Sequence, residues 1–329
     1  MAVRAPEWWD AGSGTLLPTL LAPLGWGWGL VAQAQRTWVR PWRAGVPVLC
    51  VGNLVVGGAG KTPLALDIGG RLFERGIAVH FLTRGHGGGE AGPLRVDAER
   101  HGAVQVGDEA LLLARCAPTW VARDRRAGAR AAVAEGATVI VMDDGFQNPA
   151  LAKDVSLIAV DGGFGFGNGR LMPAGPQRED LAGGLSRGSA VILIGADKAG
   201  VGERLAKLSP LPVLRAKFRP GPEARDLAGQ AVVAFAGIGR PAKFFATLRG
   251  IGCRVVANHA FADHYVYRAA DLARLKDEAR AADAQLVTTA KDAQRLPPAA
   301  MDVIRVLTVT LEWDEETALD VILDPILSR

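Results

Sequence analysis

The sequence predicts an α/β protein with two domains, the larger one built on a parallel sheet, and an N-terminal helix that associates with a membrane. Three observations support this prediction. From residue 47 onward, short apolar runs alternate with Ala-, Leu- and Arg-rich stretches, as is typical of βαβ units. The segment KFRPGPE, residues 217–223, interrupts this alternation. Six of the eight tryptophans precede residue 43.

The N-terminal segment, residues 1–43, is predicted to dock on a membrane surface. Residues 11–35 are uncharged, and a helix of 25 residues is long enough to cross a bilayer. Two prolines and three glycines weaken a continuous helix, so we expect a broken helix lying in the interface. Tryptophan favours the headgroup level of a membrane. Packing on the protein's own core and a true membrane span are the alternatives.

The strand pattern divides the rest of the chain. The larger domain covers residues 44–216, a linker covers 217–229 and a smaller α/β domain covers 230–329. The predicted strands are 46–52, 78–83, 118–122, 138–142, 155–160 and 190–194 in the larger domain, and 231–236, 254–257, 285–289 and 303–308 in the smaller one.

Composition excludes several classes of protein. A chain of 329 residues with 49% hydrophobic residues can bury two cores, which excludes a disordered protein. The net charge of +4 comes without long basic runs, so we expect no nucleic-acid partner, and no obligate protein partner is inferred. Cys50, Cys116 and Cys253 lack the spacing of a zinc site or a disulfide framework, which favours a reducing, cytoplasmic compartment.

A glycine-rich turn follows the first strand of the larger domain and opens a helix with Lys-Thr. The sequence GGAGKT is typical of a P-loop, so the domain is predicted to be P-loop NTPase-like. Its backbone amides would surround phosphate oxygens, the lysine would reach the β- and γ-phosphates, and the threonine would ligate Mg²⁺. Val55 stands where the usual motif has its first glycine, so this is a variant motif. The predicted nucleotide-binding residues are Gly57, Gly58, Ala59, Gly60, Lys61 and Thr62.

Two adjacent carboxylates, Asp143 and Asp144, end a buried strand in the run ATVIVMDDGFQ. The carboxyl ends of parallel strands lie beside the P-loop, where a nucleotide-bound metal needs oxygen ligands. We therefore predict that both aspartates ligate Mg²⁺. By itself, such a pair is more often a turn or a helix cap.

Eight ordered blocks together resemble the tetraacyldisaccharide 4′-kinase (lipid A disaccharide 4′-kinase) family. The resemblance runs from about Pro47 to Leu296 and departs from the family pattern at His86, Asn148 and Ala290. The last departure leaves the role of the final block open. The blocks are VGNLVVGGAGKTP, TRGHGG, VGDEALLLA, DDGFQN, GNGRLMPAGPQRE, FAGIGRPAKFF, FADHYVY and TTAKDAQRL.

The resemblance implies ATP- and Mg²⁺-dependent phosphorylation of the 4′-hydroxyl of an acylated glucosamine disaccharide 1-phosphate, the lipid A precursor, at the cytoplasmic face of the Gram-negative inner membrane. It also implies that Asp108 is the general base and that His264 pairs with it. The two residues lie on opposite sides of the linker, so we expect the domains to close about a hinge near residue 220.

The resemblance supports further site residues. Arg125 would clamp the transferred phosphoryl group, although it could equally belong to the solvated first turn of a helix capped by Asp124. Arg84 would face the disaccharide or its 1-phosphate. Gln147 and Glu179 would complete the Mg²⁺ shell, directly or through water. Asn168 lies in a glycine-rich segment, 162–170, which is predicted to be a flexible loop facing the substrate.

Other functions compatible with a P-loop are less well supported. A membrane-associated regulatory ATPase would carry a signature lysine where this chain has Val56. A GTP-dependent metallochaperone would show an Asn-Lys-x-Asp block, whereas the nearest strand end reads GADKAG. A nucleotide-binding membrane adaptor without enzyme activity is the third alternative.

Overall fold

The computed structural model describes residues 6–12 and 16–327. Its strands, in chain order, are β1 (Val48–Gly52), β2 (Val79–Thr83), β3 (Leu94–Arg95), β4 (Thr119–Val121), β5 (Val139–Asp143), β6 (Val155–Asp161), β7 (Ala190–Ile194), β8 (Val213–Pro220), β9 (Ala231–Ala236), β10 (Arg254–Ala260), β11 (Gln285–Thr289), β12 (Ile304–Leu307) and β13 (Val309–Trp313).

The helices are α1 (Leu17–Trp38), α2 (Lys61–Glu74), α3 (Ala103–Val106), α4 (Asp108–Ala114), α5 (Arg125–Ala134), α6 (Leu181–Leu185), α7 (Val201–Leu208), α8 (Ala224–Leu227), α9 (Pro241–Gly250), α10 (Ala269–Ala281), α11 (Ala290–Ala293) and α12 (Glu316–Leu327). Short 3₁₀ turns form at Glu7–Trp9 and Pro298–Ala300.

The strands form two sheets. The large sheet has nine strands in the order β13-β8-β7-β6-β1-β5-β2-β4-β3, and it is parallel except at its two edge strands, β13 and β3. The small sheet has four parallel strands in the order β10-β9-β11-β12. Strands β1, β5, β6 and β7 are buried along their whole length, as expected where helices cover both faces of a parallel sheet. The α/β prediction with a large, mostly parallel sheet is confirmed.

The predicted domain boundaries differ from the structure at two places. Residues 217–220, assigned to a linker, are the end of β8 and belong to the large sheet. The chain then returns to this sheet: β13 pairs with β8, and Leu319 and Leu323 of α12 are fully buried in its core. The large unit therefore contains residues 309–327, which the sequence assigned to the smaller domain. The cause is the pairing of β13 with β8, which joins segments far apart in the chain and leaves no local signal in the sequence.

Helix α1 is continuous over 22 residues, although it contains Pro23. The expectation of a broken helix was wrong. Gly25 and Gly29 lie one turn apart and pack against Leu171, where a Cβ at either position would come within 3.0 Å of that residue. These glycines permit close packing of α1 on the large unit instead of ending the helix.

No helix among the described residues is both long enough and apolar enough to cross a membrane.

Candidate active site between the two units

A cavity of about 1190 Å³ opens at the carboxyl ends of the large-sheet strands and is closed on one side by the small unit. This is where parallel α/β sheets place their ligands, because loops from neighbouring strands diverge there. The P-loop forms its floor, and Trp28 and Arg36 of α1 reach one wall. From the small unit come His264, Lys291 and Arg240. Three separate parts of the chain thus converge on one space.

The P-loop has the backbone geometry that its glycines permit. Gly57 has φ of 116° and Gly60 has φ of 87°, in the left-handed region that favours glycine. A Cβ at Gly60 would lie 2.8 Å from Ile194 Cδ1, so a larger residue would also clash. Lys61 and Thr62 are the first two residues of α2, a helix N-terminus suited to anions. The predicted nucleotide-binding residues therefore form one continuous loop on the cavity floor.

Asp143 lies directly beside the P-loop, as predicted. The Thr62 hydroxyl donates to Asp143 Oδ2 at 2.9 Å, and the aspartate is 1% exposed. Its Oδ1 has no hydrogen-bond partner among the described residues. Burial, together with the nearby charges of Glu109 and Asp144, raises the pKa of Asp143. A buried carboxylate oxygen without a donor, next to a threonine hydroxyl, fits a divalent cation with oxygen ligands.

Asp144 is oriented differently. Its φ of 51° is rare for a residue with a side chain, and Arg178 Nη1 donates to its Oδ1 at 2.8 Å. Lys61 Nζ lies 3.7 Å from Oδ2. Burial would raise the pKa of Asp144, but Lys61 and Arg178 outweigh it and hold the pKa at about 2. Asp144 is therefore ionised, with two cations as its partners.

Gln147 and Glu179 were predicted to complete the metal shell, but their contacts give Glu179 a different role. Glu179 is 1% exposed and does not line the cavity. Its Oε2 lies 2.9 Å from Arg36 of α1 and also accepts from Arg187, while Gln147 Nε2 donates to Oε1 at 3.1 Å. Two arginines already neutralise this carboxylate. The geometry makes Glu179 an anchor for α1 and corrects the prediction that it ligates metal.

Gln147 does line the cavity, but its amide is engaged on both sides. Its Nε2 donates to the Asn53 carbonyl at 2.8 Å, and its Oε1 accepts from Arg178 at 3.3 Å. Gln147 thus orients Arg178, which in turn holds Asp144.

Asp108 and His264 meet across the two units, as the resemblance implied. His264 Nδ1 lies 3.1 Å from both carboxylate oxygens of Asp108. Asp108 opens α4 and is 2% exposed, whereas His264 faces the cavity with a left-handed φ of 57°. Burial would raise the pKa of Asp108, but the hydrogen bond from His264 and the charges of Lys291 and Arg295 hold it below its ordinary value. The carboxylate is therefore ionised and shielded, with the imidazole between it and the cavity.

Two cations of the TTAKDAQRL block complete this arrangement, and sequence reasoning did not identify them. Arg295 Nε lies 3.2 Å from Asp108 Oδ2. Lys291 Nζ lies 3.1 Å from Glu109 Oε1 and 3.4 Å from His264 Nε2. Burial would lower the pKa of Lys291, but the Glu109, Asp108 and Asp263 carboxylates raise it above its ordinary value. The TTAKDAQRL block was the sequence signal that could have identified both residues. Its lysine and arginine supply positive charge around the Asp108–His264 pair.

Arg125 is buried, with 3% exposure, so the alternative of a solvated first turn does not hold for it. Asp124 does cap the helix, since its side chain accepts from the Arg126 and Ala127 amides. Burial, with the charge of Arg84 added, lowers the pKa of Arg125 to about 10. Its Nε has no hydrogen-bond partner among the described residues. Arg84 is exposed, and both arginines line the cavity.

Asn168 lies away from the cavity, contrary to its predicted role in substrate binding. Its amide donates to the backbone carbonyls of Trp8 and Ala174, at 2.8 and 2.9 Å, and its Oδ1 accepts from the Arg170 amide. The loop that contains it is packed, with Phe166 buried. Asn168 joins this loop to the N-terminal segment, and the expectation of a substrate-facing loop is corrected accordingly.

The chain is similar to known proteins in both sequence and fold. A model of the family described as tetraacyldisaccharide-1-P 4′-kinase matches residues 17–328. A tetraacyldisaccharide 4′-kinase of Rhodospirillum centenum is 53% identical and the alignment covers 99% of this chain and 97% of the relative. The tetraacyldisaccharide 4′-kinase of Paramagnetospirillum magneticum is 52% identical, and its alignment covers 98% of this chain and 99% of the relative. A crystal structure of LpxK from Aquifex aeolicus, described as an "apo" form in complex with ATP, is similar in fold, with a TM-score of 0.74, 23% identity and coverage of 94% of this chain and 99% of that one.

Proposed function

The chain belongs to the tetraacyldisaccharide-1-P 4′-kinase family, and we infer that it transfers the γ-phosphate of ATP to the 4′-hydroxyl of a tetraacylated glucosamine disaccharide 1-phosphate, the lipid A precursor. One observation carries the mechanism: Lys61 of the P-loop, Asp144 and His264 line one cavity, with Asp143 directly behind the P-loop and Asp108 directly behind His264. The P-loop would bind phosphate, the Asp143–Asp144 pair lies beside the P-loop, and the Asp108–His264 pair can accept a proton.

Binding of the nucleotide falls to the P-loop. Backbone amides of residues 57–62 would hold the phosphates, and Lys61 would lie against the β- and γ-phosphates. Mg²⁺, when bound, neutralises charge on the phosphates during transfer. Thr62 and Asp143 are the residues that would hold it, because Asp143 Oδ1 has no other partner among the described residues. Asp144, paired with Lys61 and Arg178, would keep both cations oriented.

Proton removal falls to Asp108 and His264. A hydroxyl that attacks phosphorus must lose its proton, and a positioned carboxylate–imidazole pair can take it. Lys291 Nζ lies 3.4 Å from His264 Nε2, so Lys291 holds one side of the ring while Asp108 holds Nδ1 on the other. Arg125 and Arg84, which line the same cavity, would stabilise negative charge on the transferred group and on the acceptor.

The acceptor would reach the cavity along α1. Arg36 and Trp28 of this helix line the cavity, while Leu20, Leu24 and Trp26 are 74%, 62% and 68% exposed on its outer side. An exposed apolar helix face is suited to the interfacial region of a membrane. We propose that this helix face binds the membrane that holds the lipid acceptor, and that this is the inner membrane at its cytoplasmic face.

The test is transfer of label from γ-³²P-ATP, with Mg²⁺, to a detergent-dispersed tetraacyl disaccharide 1-phosphate. We expect a labelled lipid that carries phosphate at the 4′ position. Asp108→Ala should lower kcat by a factor of ~10² to 10⁴, the range for a positioned base. Asp277→Ala, at a carboxylate that is 73% exposed, is the matched control and should retain activity. Hydrolysis of ATP without labelled lipid would instead support a regulatory ATPase.

A further inference from the structure

A second group of charges joins the two units next to the P-loop. Asp161, the last residue of β6, is 3% exposed. Arg240 Nη1 donates to Asp161 Oδ2 at 2.5 Å, and Lys243 Nζ donates to the same oxygen. The Gly163 amide donates to Oδ1 at 2.8 Å. Burial would raise the pKa of Asp161, but the two cations hold it below its ordinary value. A buried carboxylate of the large unit thus binds two cations of the small unit.

These cations lie close to the P-loop. Strand β6 pairs with β1, the strand that leads into the loop. Arg240 Nη2 would be 3.7 Å from a Cβ at Gly57, and a Cβ at Gly239 would be 3.0 Å from the Gly58 amide nitrogen. The guanidinium of Arg240 lies 3.9 Å from the centroid of the Phe164 ring, which limits its freedom to turn. Both Arg240 and Lys243 line the cavity.

The charges of this cluster do not balance. One carboxylate cannot neutralise two cations, so a net positive charge remains beside the loop whose amides would bind phosphate. Arginine has five donor hydrogens in a fixed plane, and one bond to Asp161 leaves several of them available. Lysine likewise keeps donors beyond the one that Asp161 accepts.

We propose that Arg240 and Lys243 bind the phosphates of the nucleotide from the small unit, and that Asp161 is a positioning residue that holds both cations over the P-loop. The proposal deepens the proposed function, since it rests on the P-loop binding ATP. It assigns the small unit a direct part in nucleotide binding, separate from the contribution of His264.

Calorimetry on the full chain with Mg²⁺ tests this proposal, using ATP and adenosine as probes. Arg240→Gln and Lys243→Gln should each weaken ATP binding by about 10-fold or more, the value of a charge-assisted hydrogen bond, while adenosine binding stays unchanged. Arg249→Gln, at an exposed position of helix α9, which contains Lys243 and begins directly after Arg240, is the matched control and should bind both probes like the wild type. Lys243 is 46% exposed, so its substitution should not impair folding.

The role of Asp161 is tested by Asp161→Asn, alone and combined with both Arg240→Gln and Lys243→Gln. If Asp161 acts through these two cations, Asp161→Asn alone should weaken ATP binding, and the triple variant should bind ATP about as weakly as the Arg240→Gln/Lys243→Gln double variant. Loss of ATP and adenosine binding in equal measure would indicate a purely structural role and overturn the proposal. Unchanged ATP binding in both the Arg240 and Lys243 variants would also overturn it.

Failure of this proposal can be distinguished from failure of the proposed function. Calorimetry needs no lipid acceptor, so a wild-type chain that binds ATP but labels no lipid would refute the kinase alone. Variants that lose ATP-specific affinity in that case would still support the phosphate-binding role of Arg240 and Lys243.

Discussion

Lys291 shows how a single residue can set the chemistry of its neighbours. Its ammonium lies between Glu109 and His264, and the Asp108 carboxylate adds to its environment. We expect Lys291→Gln to lower kcat by about 10- to 100-fold, because both Glu109 and His264 would lose the partner that positions them. Lys291→Arg keeps the positive charge and should retain more activity than Lys291→Gln. Steady-state kinetics with lipid acceptor measures both.

The control for this prediction is Lys207→Gln, which removes a lysine from an exposed ion pair with Glu203. Exposed pairs contribute little, so this variant should behave like the wild type. Equal kcat values for Lys291→Gln and the wild type would show that Lys291 takes no part in the reaction.

Asp143 allows a prediction about stability and pH. Its pKa in the folded chain is raised above the ordinary value of about 4, so the folded chain holds this proton to higher pH than the unfolded chain does. The free energy of unfolding therefore falls as pH rises from about 4 toward the raised pKa. Asp143→Asn cannot ionise and avoids this loss. We expect it to stabilise the metal-free protein at neutral pH by roughly 1–3 kcal/mol, and to abolish turnover.

Thermal unfolding in EDTA at a series of pH values from 5 to 8 checks this expectation. The difference in melting temperature between Asp143→Asn and the wild type should grow as pH rises. A variant that melts below the wild type at every pH would show that the ionised carboxylate stabilises the fold. Asp277→Asn, at an exposed carboxylate, should show no such trend.

Some site residues could be predicted from sequence because their signal is local. Lys61 and Thr62 follow a glycine-rich turn, and Asp143 ends a buried strand, so neighbouring residues identify them. Arg295 has no such signal, because it meets Asp108 only after the small unit has packed on the large one. The prediction that Glu179 ligates metal failed for a related reason, because its partners, Arg36 and Arg187, come from separate segments of the chain.

At the scale of elements, helix α1 differs from the sequence prediction, since it is continuous and not broken. Glycine lowers helix propensity in isolation, but tertiary packing can reward the close approach that glycine permits. The contact of Gly25 and Gly29 with Leu171 and the hydrogen bond from Trp28 Nε1 to the Arg178 carbonyl hold the helix on the large unit. Its opposite side keeps leucines and tryptophans exposed, and these residues remain available for a membrane.

Charged substitutions on that exposed side test membrane docking. Leu20→Asp with Leu24→Asp should reduce binding to vesicles of anionic phospholipid by at least about 10-fold, because each buried leucine contributes roughly 1.5–3 kcal/mol. Binding of ATP should not change, since neither leucine lines the cavity. Flotation of the protein with vesicles measures the first effect and calorimetry the second.

Phe73→Asp is the matched control for this experiment. Phe73 lies on α2 and is 61% exposed, so the change removes an exposed apolar side chain of similar accessibility elsewhere on the surface. Flotation equal to the wild type is expected for this control. If the α1 variant also floats like the wild type, membrane docking does not depend on the exposed leucines of this helix.

At the scale of the whole molecule, the two units are joined by two neighbouring connections. The chain leaves the large sheet after Pro220 and returns at Val309. The Gly221 amide donates to the Thr308 carbonyl at 2.9 Å, so the outgoing and returning segments are bonded to each other. A sequence read as consecutive domains does not reveal this return, because the pairing of β13 with β8 joins segments that are distant in the chain.

Gly221 offers a test of whether this double connection positions the two halves of the active site. A Cβ at Gly221 would lie 2.0 Å from Thr308 Oγ1 and 2.3 Å from Glu223 Oε2, so Gly221→Val should break the hydrogen bond between these two side chains and disturb the paired connections. Asp108 and His264 belong to different units and are 3.1 Å apart, so a small rotation of the small unit would separate them. Misplacement by about 1 Å can reduce a rate by ~10², and we expect a loss of kcat of this size.

Gly250→Val is the control, because a Cβ at Gly250 meets nothing within 4 Å. A Gly221→Val enzyme with wild-type turnover would show that the site does not depend on this connection, and a melting temperature close to that of the wild type would confirm that the variant is folded.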